Sequence, residues 1–132
     1  MLSDLKDAVI IIIEKDCKYL FVKKSENTQG GKYWAPVSGR VENNETQEEA
    51  VIRETFEEVG LKVTPNKKEW ECKSEYGNYI LHWWSVEIIS GIESTASDEI
   101  SEVKWVTLNE MKKLKPVFKM DIEYFEQKEL LS

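Results

Sequence analysis

An α/β or α+β sandwich, with strands and helices interleaved along one chain, is the fold class this sequence predicts. Three observations carry that reading. Ala8-Val9-Ile10-Ile11-Ile12-Ile13 is an apolar, largely β-branched run of strand length. Thr46-Gln47-Glu48-Glu49 is a capping box, which opens a helix. Tyr79 to Ile89 carries apolar residues on both alternating faces, the pattern of a central strand covered on both sides. The chain has 132 residues, 41% of them apolar, enough to enclose a core. No repeat, low-complexity tract or Pro/Ser-rich linker divides it, so residues 1–132 read as a single domain.

The elements follow in order. Glu14-Lys15-Asp16 turns the first strand into a second, Tyr19-Leu20-Phe21-Val22. Residues 25–33, with Asn27, Gly30 and Gly31, form a polar loop that leads through Trp34-Ala35-Pro36-Val37 to Ser38-Gly39. A helix runs from about Gln47 to Val59 and stops at Gly60, a left-handed cap. Residues 68–75 and 79–89 are two strands joined through Tyr76-Gly77-Asn78, and Val103 to Val106 is a further short strand. Thr107-Leu108-Asn109-Glu110 is a second capping box, opening a helix that must stop near Pro116. Phe118, Ile122, Phe125 and Leu130 recur at helical spacing and predict a C-terminal amphipathic helix.

Composition excludes several classes. With 25 acidic and 18 basic residues the formal net charge is −7, which argues against coating nucleic acid. The six-residue apolar run is too short to cross a bilayer, and Met1 to Asp7 lack the features of a signal peptide. Cys17 and Cys72 form no C-x-x-C pair or metal knuckle and read as reduced thiols, so a cytoplasmic location is expected. His82 is the one histidine, which excludes a histidine-cluster site. It shares the Trp84 face of its strand and reads as a packed residue.

Seven glutamates lie between Glu42 and Glu58, and Arg40 and Arg53 are the only arginines in the chain. On a helical wheel with Glu54 at zero, Glu57 lies at about −60° and Glu58 at about +40°. Val51, Thr55, Val59, Ile52 and Phe56 fan from about 60° to about 200° and form the expected docking face. Three crowded carboxylates repel one another. A solvated acidic face accommodates them, and so does a hard divalent cation.

From Gly39 the chain reads Gly39-x5-Glu45-x7-Arg53-Glu54-Thr55-x-Glu57-Glu58-x-Gly60-Leu61. This resembles the Nudix box, with all seven of its invariant letters present and Thr55 where an aliphatic residue is usual. The Tyr19 to Lys24 strand, the Trp34 to Gly39 approach and Glu99 to Val106 also resemble that family.

The resemblance implies a Nudix-like α/β/α sandwich with a mixed β-sheet between helices. It implies Mg²⁺-dependent hydrolysis of a diphosphate linkage in a nucleoside diphosphate-X substrate, with Mn²⁺ able to substitute. Glu54, Glu57 and Glu58 are the implied metal ligands, joined by the Ser38 carbonyl, although Ser38 stands where glycine is common. Glu99 is the best-placed acid from outside the box, with Asp98 and Glu102 as alternatives. Glu54 is a candidate base, Arg53 orients a neighbouring carboxylate and Glu57 belongs to the catalytic set. Glu45 either joins the metals or holds the loop. Gly39, Lys24 and Lys23 are the substrate-binding candidates beside the phosphates; of the two lysines one points to the cleft and the other away, with Lys24 favoured.

Trp34, Trp84 and Trp105 read as core, whereas Trp83 and Tyr79 are candidates to line a pocket. The expected partner is a small nucleotide, with no nucleic acid or membrane and with homodimerisation open. One rival is a nucleotide-binding sensor that does not cleave. Another is a diphosphate isomerase, which would need a pocket cysteine. The Pro36 to Arg40 entrance resembles relatives acting on nucleoside or pterin triphosphates, but no motif selects the substrate.

Overall fold

The computed structural model describes residues 4–28, 31–75 and 77–131. Gly30 of the polar loop, Tyr76 of the strand connection and residues 1–3 lie outside them. The elements are β1 (Lys6–Ile12), β2 (Glu14–Lys15), β3 (Lys18–Lys24), β4 (Trp34–Ala35), β5 (Val37–Arg40), α1 (Gln47–Val59), β6 (Lys62–Lys73), β7 (Tyr79–Ser90), β8 (Ile100–Val106), α2 (Leu108–Met111) and α3 (Lys119–Leu130).

The strands divide into two four-stranded sheets. One is mixed, in the order β5-β1-β7-β6, with β1 and β7 parallel and both outer pairs antiparallel. In the other, β3 pairs antiparallel with β2, β4 and β8. Strand alternation then builds two cores. Val9, Ile11, Ile13, Leu20 and Val22 meet Ala50, Val51 and Val59 of α1. Ile10, Ile12, Tyr19 and Phe21 meet Trp83, Met111 and Phe125 on the α2/α3 side. β1 and β3 are therefore buried on both faces, which is why they read as nearly continuous apolar runs.

Both capping boxes are present: Thr46 with Glu49, and Thr107 with Glu110. Gly60 closes α1 in the left-handed region at φ 75°, its N–H donating to the Phe56 carbonyl. Three expectations need correction. The strand expected to begin at residue 68 begins at Lys62, because β6 is an edge strand with register shifts at Lys62/Val63, Pro65/Lys67 and Lys68/Trp70. Those shifts admit Pro65 and disrupt the two-residue period. Leu130 is 77% exposed and does not join the α3 packing face.

The third correction concerns α1. Ile52 and Phe56 do not dock; Phe56 is 61% exposed. The buried residues are Ala50, Val51, Thr55, Glu58 and Val59. On the wheel they span about −40° to about 140°, so the helix is rolled toward its glutamates and Glu58 lies near the centre of the buried arc. Thr55 tolerates burial because its hydroxyl donates to the Val51 carbonyl at 2.7 Å.

Candidate active site

The roll of α1 carries Glu54 and Glu58 against β5. Gly39 makes room for Glu54: any side chain there would run into its carboxylate. Glu58 is only 3% exposed. Its carboxylate lies 3.3 Å from the Lys24 ammonium, which reaches across from the end of β3. Burial, opposed by Lys24 and reinforced by the neighbouring Glu54, pushes the Glu58 pKa up to about 8. Burial also raises Glu54, against the pull of Glu58 hydrogen bonding and Arg53.

Arg53 organises the rest. Its Nε and Nη2 donate to the two Glu45 oxygens at 2.7 and 3.0 Å. Nη1 donates to Glu54 at 2.7 Å and to Glu57 at 3.2 Å, and Nη2 also donates to the Arg40 carbonyl at 2.9 Å. One guanidinium therefore ties loop, helix and strand together, in the planar multi-donor geometry that lysine cannot reproduce. Glu45 also accepts from the Glu42 N–H at 3.0 Å, so its oxygens are occupied holding the loop. Its hydrogen bond to Arg53 keeps its pKa low.

These groups open on a cleft of about 500 Å³ whose walls include Lys24, Ser38, Gly39, Arg40, Tyr79 and Glu99. Arg40 donates to the Tyr79 hydroxyl at 2.8 Å and lies over its ring. A second cavity of about 460 Å³ shares Ile10, Lys24, Ser38 and Leu81 with the first. Tyr33 and Phe118, stacked 4.3 Å apart, stand in its wall, and Asp121 and Glu75 contribute carboxyl groups. Asp121 is 5% exposed. Burial and the charge of Glu75 push its pKa up to about 7.

The structure sorts the expected site residues. Glu54, Glu58, Arg53, Lys24, Ser38, Gly39, Tyr79 and Glu99 come together at the cleft. Glu57 is not among the residues lining it; half-exposed, it is held by Arg53, with its charge still acting on Glu54. Lys23 points away and pairs with Glu102 at 3.5 Å, as strand alternation requires. That pairing removes both residues from the cleft. The Asp98 carbonyl accepts from the Ser25 hydroxyl.

Trp83 needs correction: it is fully buried among Trp70, Tyr124 and Phe125 and lines neither cavity. The opposite strand face is a core face here, because α3 covers it. His82 is buried between Asp7 and Glu71, away from the cleft.

Sequence reasoning missed Tyr33, Phe118, Glu75 and Asp121. Tyr33 and Phe118 are brought together only by the fold, and Asp121 looks like any polar residue in a helix. Arg40 did carry a signal, as one of only two arginines beside the box glycine.

The NUDIX domain family matches residues 4–127. This chain belongs to the Nudix family. It is 38% identical over 113 residues to an ADP-ribose pyrophosphatase of Methanocaldococcus jannaschii, covering 81% of this chain and 64% of that protein. It is 31% identical over 87 residues to a CTP pyrophosphohydrolase of Escherichia coli, covering 64% of each. The chain thus spans just under two thirds of the length of these Nudix relatives. In fold it is similar to the crystal structure of a MutT protein from Methanosarcina mazei, with a TM-score of 0.84 and 22% identity over 93% of this chain and 91% of that one. Nudix enzymes generally use divalent cations. Among the described residues no helix is long and apolar enough to cross a membrane.

Proposed function

We propose that this Nudix domain hydrolyses the diphosphate linkage of a small nucleoside diphosphate derivative, with Mg²⁺ as cofactor and Mn²⁺ as a substitute. The observation that carries this reading is the Glu54–Glu58 pair, buried beside a glycine that leaves it room and facing a cleft with cations on its walls. Among the described residues no three acidic, histidine or cysteine side chains converge as a ready-made metal cage. Two carboxylates nevertheless suit Mg²⁺. That ion is commonly held by one or two carboxylates plus waters and substrate phosphates.

Glu54 and Glu58 would hold the cation, with the Ser38 carbonyl and Glu99 from the cleft wall and Glu57 from the same helix. When bound, the cation supplies Lewis-acid polarisation of phosphate oxygens and acidifies a water. Glu54 takes the proton of the attacking water, and Arg53 keeps its carboxylate in place. The water oxygen bonds to one phosphorus and the bridging oxygen departs with the other half. The products are a nucleoside monophosphate, or a similar fragment, and the phosphorylated remainder. Lys24 and Arg40 face the phosphates, where positioning and charge stabilisation govern such a displacement. The adjoining cavity, with its stacked aromatic wall, takes the nucleoside half. The relatives named for ADP-ribose and CTP support this class, since both compounds join a nucleoside to a diphosphate.

Incubation with nucleoside triphosphates, ADP-ribose, coenzyme A and dinucleoside polyphosphates tests the proposal. Phosphate and pyrophosphate release are read separately with Mg²⁺, with Mn²⁺ and with chelator. Metal-dependent turnover of at least one compound is expected. Nucleotide binding with no turnover of any would instead assign a sensor.

A further inference from the structure

Lys24 is placed to do more than contact phosphate. Its Nζ lies 3.3 Å from a Glu58 oxygen, and the two side chains are 16% and 4% exposed. A carboxylate buried that deeply needs a partner, and Lys24 is the cation paired with it among the described residues. The lysine backbone is fixed on both sides: its N–H donates to the Tyr33 carbonyl at 3.0 Å and its carbonyl accepts from the Lys32 N–H at 2.9 Å. Its four-carbon stem is not fixed in this way, and Lys24 lines both cavities.

A divalent cation on Glu58 competes with the ammonium for the same carboxylate charge, and the two positive charges repel at that range. Resting on the metal-site reading above, we infer that Lys24 is an exchange residue. In the free protein it holds Glu58 in place of the metal, and metal entry turns it into the cleft to receive a substrate phosphate. Metal and substrate then assist one another, because a phosphate gives the displaced ammonium a new counter-charge. The lysine opposes the first event and favours the second.

That opposition in sign is the test. Mn²⁺ binding to the nucleotide-free protein is followed by the loss of the free-ion electron paramagnetic signal, and inorganic pyrophosphate binding is measured at saturating Mn²⁺. Lys24→Met should tighten Mn²⁺ binding at least threefold and weaken pyrophosphate binding about tenfold. Lys24→Gln repeats the measurement if the methionine variant melts early. Lys23→Met is the control, since that ammonium carries the same charge but pairs with Glu102 outside the cleft. It should change Mn²⁺ binding by less than Lys24→Met does. Mn²⁺ binding that is unchanged or weaker in both Lys24 variants overturns the exchange, as does a matching gain in Lys23→Met. If the unmodified protein binds no Mn²⁺ with or without pyrophosphate, the metal site itself falls and the exchange falls with it.

Discussion

α1 and α3 each bury one carboxyl group, and the fold treats the two in opposite ways. Glu58 of α1 meets a lysine and a second glutamate, Glu54, which itself lies against the bare backbone of Gly39. Asp121 of α3 meets an apolar cavity and the like charge of Glu75, and among the described residues no cation is paired with it. Both groups hold protons more tightly than they would in water. The first stands in a polar network able to exchange one cation for another. The second lines a largely apolar cavity beside Glu75, with no cation paired to it among the described residues. Burial alone therefore does not tell the two carboxyl groups apart; the neighbours do.

The largest expected effect is on the Glu58 side. Glu58→Gln should lower kcat roughly 10²–10³-fold, the scale of losing one preorganised electrostatic group. It should do so with native circular dichroism and with weakened Mn²⁺ binding. Full metal-dependent turnover in that variant would break the contrast. Gly39→Ala comes next. The added methyl displaces the Glu54 carboxylate, and a misplacement of about 1 Å can cost about 10²-fold in rate. Steady-state kinetics and a melting curve on the same sample separate lost activity from lost fold.

Asp121→Asn sharpens the other side. A carboxyl whose folded pKa lies above its unfolded value binds more protons when folded, so stability falls as pH climbs between the two values. For Asp121 that window runs from the ordinary aspartate range to about 7. The asparagine variant should flatten this part of the curve and be more stable at pH 8 by roughly 1–4 kcal/mol, while matching the parent near pH 4. Relative kcat/KM values among nucleobases should shift in the same variant. Denaturant melts across pH check the first effect and competition assays the second. The smallest effect belongs to the outer face of α1: Phe56→Gln should change stability by less than about 0.5 kcal/mol, as surface changes usually do.

Much of this site was legible in the sequence because its parts are local. The Thr46–Glu49 capping box, the Gly60 cap and the spacing of Arg53, Glu54 and Glu58 from Gly39 fall within one loop–helix–loop. Residues that reach the site from distant segments were harder to place. Lys24 and Glu99 were found by position, whereas Tyr33, Phe118 and Asp121 are assembled only when α3 docks beside β4 and β5. The roll of α1 was misread for a physical reason. Ile52 and Phe56 outweigh Glu58 on any hydrophobicity count, yet the space beside Gly39 and the ammonium of Lys24 decide which face turns inward. Trp83 was misassigned because alternation identifies a face but not what covers it.

The outward turn of Ile52 and Phe56 has a practical use. That flank of α1 points away from the cleft on the same rigid rod that carries the glutamates. A fluorophore or spin label installed there would travel with Glu54 and Glu58, reporting movement of α1 without obstructing the entry of ligands.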